Sequence, residues 1–256
     1  MTKKTAAGKK KASFWTVVGR IILVLFILSI FFPLMYRWVN PPITPLMVIR
    51  HIQYDYPIKK KWTPIEDISP YMVRAAIASE DNYFLGHHGF DVIALNTVIK
   101  EREKGIRNRG GSTISQQTAK NVFCWPKSSW IRKGVETYFT VLIEAFWPKE
   151  RIMEVYLNVI EMGPGIYGVS AAADEYFHRS ASSLTSYQSA LITACYPAPL
   201  HRDPSHPSAY LVRQAGRIQG RMARFGRPSF EKEYIEGCQE RYQKAVARMK
   251  ERNKKK

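Results

Sequence analysis

The chain has 256 residues, 45% of them hydrophobic and 23% charged, with 39 Lys and Arg against 21 Asp and Glu for a formal net charge of +18. Those values exclude a disordered chain and a small disulfide scaffold, and they leave room for one sizeable folded domain. A basic surplus of this size expects an anionic partner, whether nucleic acid, phospholipid headgroups or a phosphorylated substrate.

In chain order, residues 1 to 13 form a basic tail carrying Lys3, Lys4, Lys9, Lys10 and Lys11. Residues 14 to 36 are apolar, interrupted only by Arg20. At about 1.5 Å per residue this segment reaches roughly 35 Å, enough for a hydrocarbon core of about 30 Å. Arg20 lies near its end and can snorkel outward. No small-x-small cleavage site follows, so the segment reads as a single uncleaved transmembrane anchor and not as a signal peptide. By the positive-inside rule the lysines hold residues 1 to 13 in the cytoplasm and send everything after Arg37 outside. That address argues against nucleic acid as the partner.

Residues 37 to 66, with Pro41, Pro42, Pro45, Pro57 and Pro64, read as an extended linker. Ser69 followed by Pro70 marks a helix start. Further helices are predicted at 91 to 103, 112 to 121, 129 to 147, 149 to 160 and 185 to 195, the last opened by a Thr185/Gln188 capping box. No alternating strand pattern or internal repeat appears. The expected architecture is a mainly α domain over 67 to 220, followed by a basic C-terminal tail over 221 to 256. Cys124, Cys195 and Cys238 are too widely spaced for a zinc set and read as ordinary thiols.

Three segments carry chemistry. In the first, Val73, Ile77 and Glu80 are spaced i, i+4, i+7, so Glu80 leaves its helix on the apolar side, where a partly desolvated carboxylate suits a general base. The bland reading is a helix-terminal acid, exposed or paired with Arg74. His87, His88 and Asp91 lack helical ligand spacing and read as structural, with no metal site. In the second, Gly110 and Gly111 feed a helix N-terminus, a setting that attracts anions. Thr113, Gln116, Gln117 and Lys120 then share a helix face that offers polar groups to sugar and an ammonium to phosphate. A solvated polar face is the bland alternative. In the third, an apolar stripe runs through Ile131, Val135, Phe139, Leu142 and Phe146, with Arg132, Lys133 and Glu136 lying off it. This is either a surface salt bridge or a second catalytic carboxylate beside a diphosphate-binding pair.

Together these segments resemble glycosyltransferase family 51, the peptidoglycan glycosyltransferases, and among them the single-domain biosynthetic transglycosylases. Glu80, Asp81, Phe84, His87 and Gly89 match the family pattern ED-x-x-F-x-x-H-x-G. Residues 110 to 121 match its GGSTI-[ST]-QQ-x-x-KN pattern, including Ser112, Thr113, Gln116, Gln117, Lys120 and Asn121. Arg132, Lys133 and Glu136 match RK-x-x-E, and Lys149 through Asn158 match K-x-x-I-x-E-x-YLN. The glycine-rich stretch from Gly163 to Gly168 follows in the same order. One departure is Ser128, which stands where related enzymes carry a donor-site arginine; Lys127 beside it is a point charge and not a guanidinium fork.

The resemblance implies a lysozyme-like helical domain behind a single membrane helix, with its catalytic part on the periplasmic side of the inner membrane. It implies that Glu80 deprotonates the acceptor hydroxyl and that Glu136, Lys120, Arg132 and Lys133 organise the departing diphosphate. Asp81, Phe84, His87, Ser112, Thr113, Gln116, Gln117, Asn121 and Asn158 are carried over as substrate-binding. The substrates would be lipid II and a growing glycan on undecaprenyl diphosphate, with no tightly bound cofactor and room for an assisting divalent cation such as Mg. Phospholipid is the expected surface, and other cell-wall synthases or division proteins are the candidate protein partners. The loop bearing Lys100, Arg102, Lys104, Arg107 and Arg109 would rest on anionic headgroups. Ser229 and Lys232 match S-x-x-K, but too little chain follows and no K-T-G appears, so no transpeptidase is expected. The rival readings are a lysozyme-like hydrolase or lytic transglycosylase, and a non-catalytic membrane-tethered scaffold or basic nucleic-acid binder.

Overall fold

A computed structural model describes residues 13–106 and 110–254. Helix α1 (Phe14–Met35) is long and apolar enough to cross a membrane, and nearly all of it is exposed. At about 1.5 Å per residue it spans roughly 33 Å. Its C-terminal end is fastened to the rest of the protein. The Trp147 indole donates to Pro33 O at 2.6 Å, and the Arg151 guanidinium donates to Tyr36 O at 3.0 and 3.1 Å and to Val39 O at 3.0 Å.

The 37 to 66 segment is not an extended linker throughout, which corrects the expectation. Thr44 caps helix α2 (Pro45–Tyr54), Pro45 takes a first-turn position where its missing N–H costs nothing, and Leu46 and Met47 enter the core. Prolines that read as breakers are here helix starters. Next come a two-residue strand β1 (Lys59–Lys60) and a 3-10 turn at Ile65–Asp67. Strand β1 pairs in parallel with β3 (Ile166–Tyr167), which pairs antiparallel with β2 (Glu161–Gly163).

The remaining helices are α3 (Pro70–Glu80), α4 (Val92–Glu103), α5 (Ile114–Phe123), α6 (Trp130–Phe146), α7 (Lys149–Val159), α8 (Val169–Phe177), α9 (Ser186–Cys195), α10 (Ala209–Arg224) and α11 (Lys232–Lys254). The mainly α expectation holds. Thr185 and Gln188 form the capping box read from sequence, whereas Ser69 makes no cap bond and instead donates to Leu184 O at 2.7 Å. The limit drawn at residue 220 falls inside α10, and most of the supposed tail is the ordered helix α11.

Helix α7 runs through the centre, with Ile152, Met153, Val155, Tyr156, Leu157 and Val159 all inaccessible. From Ile152 on it is buried nearly all round, which requires neighbours on every side. It is held at its end by Gly168, whose φ of +80° and whose distance to the α7 backbone, 2.6 Å from a would-be Cβ to Asn158 O, leave no room for a side chain. All three cysteines are free thiols, as expected.

Candidate active site

Glu80 is the last residue of α3 and is half-buried. Its Oε2 accepts from Gln117 Nε2 at 2.9 Å and its Oε1 from Ser79 Oγ at 3.0 Å. Arg74, the bland alternative partner, donates instead to Met222 O and Phe225 O, both at 2.8 Å. Gln117 is in turn held by the Tyr156 hydroxyl, which donates to its Oε1 at 3.2 Å. A buried tyrosine thus fixes an amide, and the amide aims the carboxylate. Glu80, Ser112 and Gln117 share a cavity of about 500 Å³ whose far wall is made by Tyr196, Arg202 and Arg221.

Lys120 lies one turn beyond Gln117 on α5 and is largely buried. Burial lowers its pKa from 10.5, opposed chiefly by the negative charge of Glu136 and to smaller extents by Glu161 and Glu80. The ammonium therefore stands among three carboxylates. Glu136 is 3% exposed, with Arg132 Nη1 at 2.8 Å from its Oε2 and Lys133 Nζ on its Oε1. This pair is no surface salt bridge.

The buried face of α6 is turned by one position from the sequence reading: Phe139 and Phe146 of the expected stripe do pack against the core, but the fully buried line runs beside them. Glu136, Thr140, Ile143 and Trp147 point into the protein, while Ile131 is 76% exposed and Val141 53% exposed. Glu161 was not anticipated at all. It sits on β2 with Arg50 Nε at 3.2 Å, and burial raises its carboxyl pKa above the usual range despite that guanidinium. A lone acid in a strand of three residues offered no spacing to read.

Several residues carried over as substrate-binding lie behind the cleft instead. Asp81, Phe84 and His87 are buried. His87 Nε2 sits 2.9 and 3.0 Å from the two Asp81 oxygens, and Asp81 Oδ2 accepts from Ile114 N at 3.0 Å, where α5 begins. They brace two helix ends. Thr113 and Gln116 form a capping box, with Thr113 Oγ1 also donating to Gly89 O at 2.7 Å. Asn121 donates to Gln117 O at 2.7 Å within its own helix. Asn158 spends all its capacity on backbone, accepting from Thr63 N and donating to Thr63 O and Glu154 O, each at 2.8 Å. Asp91 caps α4 and His88 is exposed, so these two and His87 do not converge. Of the residues named from sequence, Glu80, Ser112 and Gln117 line one cavity, and Lys120, Arg132, Lys133 and Glu136 form a charged cluster on α5 and α6.

Residues 47–223 match the family model described as Transglycosylase, from within α2 to the end of α10. The chain belongs to the transglycosylase family. It is 49% identical over 214 residues to a biosynthetic peptidoglycan transglycosylase of Bdellovibrio bacteriovorus, covering 82% of this chain and 85% of the relative. A protein of that name from Bacteroides thetaiotaomicron is 52% identical over 206 residues, 78% of this chain and 83% of the relative. Another from Shewanella oneidensis is 41% identical over 228 residues, 88% and 97% respectively. The transglycosylase match begins inside α2 and so takes in residues 47 to 66 of the segment read as a linker.

Proposed function

We propose that this transglycosylase polymerises lipid II into glycan strands, with undecaprenyl diphosphate as leaving group and Glu80 as general base. The observation that carries the reading is the Glu80–Gln117 bond, which holds a half-buried carboxylate against α5 one helical turn from where Lys120 leaves the same helix. Glu80 accepts the proton of the acceptor's sugar hydroxyl as that oxygen bonds to the donor's anomeric carbon. The carbon–oxygen bond to the diphosphate breaks with its electron pair on the departing oxygen, and the anomeric centre inverts. Lys120, Arg132 and Lys133 take up the developing negative charge, which fixed cations in a partly dry cleft stabilise far better than water does. Glu136 keeps two of those cations in place. A hydrolase would have to deliver water to the same spot, and it would gain nothing from this cationic set.

Among the described residues no three His, Cys, Asp or Glu side chains converge as a metal cage, and the Glu136 oxygens are already engaged. A divalent cation assisting here would be held by the substrate diphosphate with one or two carboxylates, and would add to the charge neutralisation that Lys120, Arg132 and Lys133 supply.

Helix α1 is read as the membrane anchor, with the cleft on the periplasmic side of the inner membrane. Exposed Trp130, Ile131 and Val141 on α6, the helix that packs against α1, support a domain resting against the lipid surface. The proposed basic loop is described only in part. Lys100 meets Asn253 on α11, and Arg107 and Arg109, like residues 1 to 12, lie outside the described residues.

The test is polymerisation of labelled lipid II by the full chain in detergent. Glu80→Gln is expected to lower kcat by about 10² to 10⁴-fold with thermal stability intact. Retention of activity by Glu80→Gln, or release of fragments from finished cell wall by the wild type, would overturn the reading.

A further inference from the structure

The family match stops at residue 223, yet the chain goes on into α11, a helix of 23 residues whose buried side chain is Tyr242. Tyr242 is 7% exposed and wedged into the turn between α3 and α4. Its hydroxyl accepts from Val92 N at 2.9 Å and donates to Asp91 Oδ1 at 3.3 Å. Its ring lies 5.3 Å from that of Tyr83 and meets His87 edge-on at 5.9 Å. Gly86 faces the helix so closely that a Cβ there would stand 2.8 Å from Tyr242 Cβ and 2.9 Å from Cys238 O.

Each of these contacts leads towards the reacting groups. His87 holds Asp81, the neighbour of Glu80, and Asp81 fixes the first amide of α5, the helix that carries Gln117 and Lys120. Asp91, touched by the Tyr242 hydroxyl, caps α4 through Ile93 N at 2.9 Å and Ala94 N at 3.1 Å. One phenol therefore closes the back of the turn from which both helix starts are set. Side chains held this way lose little freedom to wander, and catalytic geometry is sensitive to shifts of about an ångström.

We propose that Tyr242 is a positioning residue for glycosyl transfer, so that α11, outside the matched segment, is part of the catalytic unit. The inference rests on the glycosyltransferase reading above. Tyr242 touches no substrate; it acts through the Asp81–His87 pair and the α4 cap. A helix that only added stability would change the melting temperature and leave turnover by the folded protein untouched.

The experiment uses the full-length protein in detergent, assayed for kcat and KM on labelled lipid II well below the melting temperature of every variant. Tyr242→Phe keeps the ring and removes the hydroxyl; its kcat is expected to fall roughly threefold to tenfold with KM within about a factor of two. Gly86→Ala leaves Tyr242 in place but pushes α11 outward, and is expected to give the same signature. Tyr242→Ala should cost on the order of 10²-fold in kcat; should it fail to fold, the Phe and Gly86 variants decide. Wild-type kcat in Tyr242→Phe, or a loss confined to KM, overturns the proposal. Failure of the wild type to polymerise would sink the glycosyltransferase reading instead.

Discussion

Replacing Asp81 separates a brace from a substrate ligand. In the structure its carboxylate is fully spoken for, by His87 Nε2 at 2.9 and 3.0 Å and by Ile114 N at 3.0 Å, with the side chains of both Asp81 and His87 1% exposed. Asn in its place keeps one acceptor oxygen and loses the other, so one buried bond to a charged group disappears, at a cost of about 1.5–3 kcal/mol. Ala removes both bonds and strands the His87 ring, at a cost of about 3–5 kcal/mol. For a chain of this size each kcal/mol is worth about 2–4 °C, so the Asn variant should melt about 3–12 °C lower and the Ala variant further still. Thermal unfolding followed by circular dichroism in detergent gives that number, and lipid II polymerisation gives kcat and KM on the same samples. A lowered melting temperature together with a lowered kcat fits a brace under Glu80 and α5. An unchanged melting temperature with a raised KM would refute the reasoning and return Asp81 to the substrate.

Other substitutions probe other parts of the molecule. Because burial lowers the Lys120 pKa and its ammonium is the form that meets diphosphate, activity should fall as pH rises through a value below 10.5. Stability should move the opposite way over that window, since the unfolded chain holds the proton more tightly. A pH–rate profile of Lys120→Arg, charged throughout, should show a lower plateau without that alkaline limb. Asn158→Ala removes three bonds to backbone at 2.8 Å; it should cost about 2–5 kcal/mol by denaturant titration with KM unchanged. Trp147→Phe removes only the indole donor to Pro33 O. It should cost about 0.5–1.5 kcal/mol and raise proteolytic nicking between α1 and α2.

The sequence carried the helices well, because their caps and periods are local. Glu80 on the apolar side of α3 and the Gln117–Lys120 face of α5 were legible for the same reason, and the structure brings them together. The face of α6 was legible only in part. Period 3.6 groups Ile131, Val135 and Phe139 on one side but is silent on whether that side meets protein or lipid. Phe139 and Phe146 pack against the core, yet Glu136, Thr140 and Ile143, one position round the helix, are the residues fully buried, with Glu136 near Lys120. Motif membership had a similar limit. Asp81, His87, Thr113 and Asn158 match the family patterns, and in this chain they hold helix starts and backbone crossings; a pattern does not say which side of the backbone a residue serves. Helix α2 was hidden by its own prolines, although Thr44 before Pro45 is a cap signal of the kind that revealed Ser69 and Pro70.

The joint between α1 and the domain has a mechanical consequence. Three backbone carbonyls at the top of the stalk, those of Pro33, Tyr36 and Val39, are gripped by one indole and one guanidinium, which couples the stalk to the head. Under the proposed activity, such an enzyme stands at a fixed height, level with diphosphates that ride in the same bilayer plane. A cleft held at one height above the bilayer would release its product sideways along the surface or outward, never back towards the lipid core.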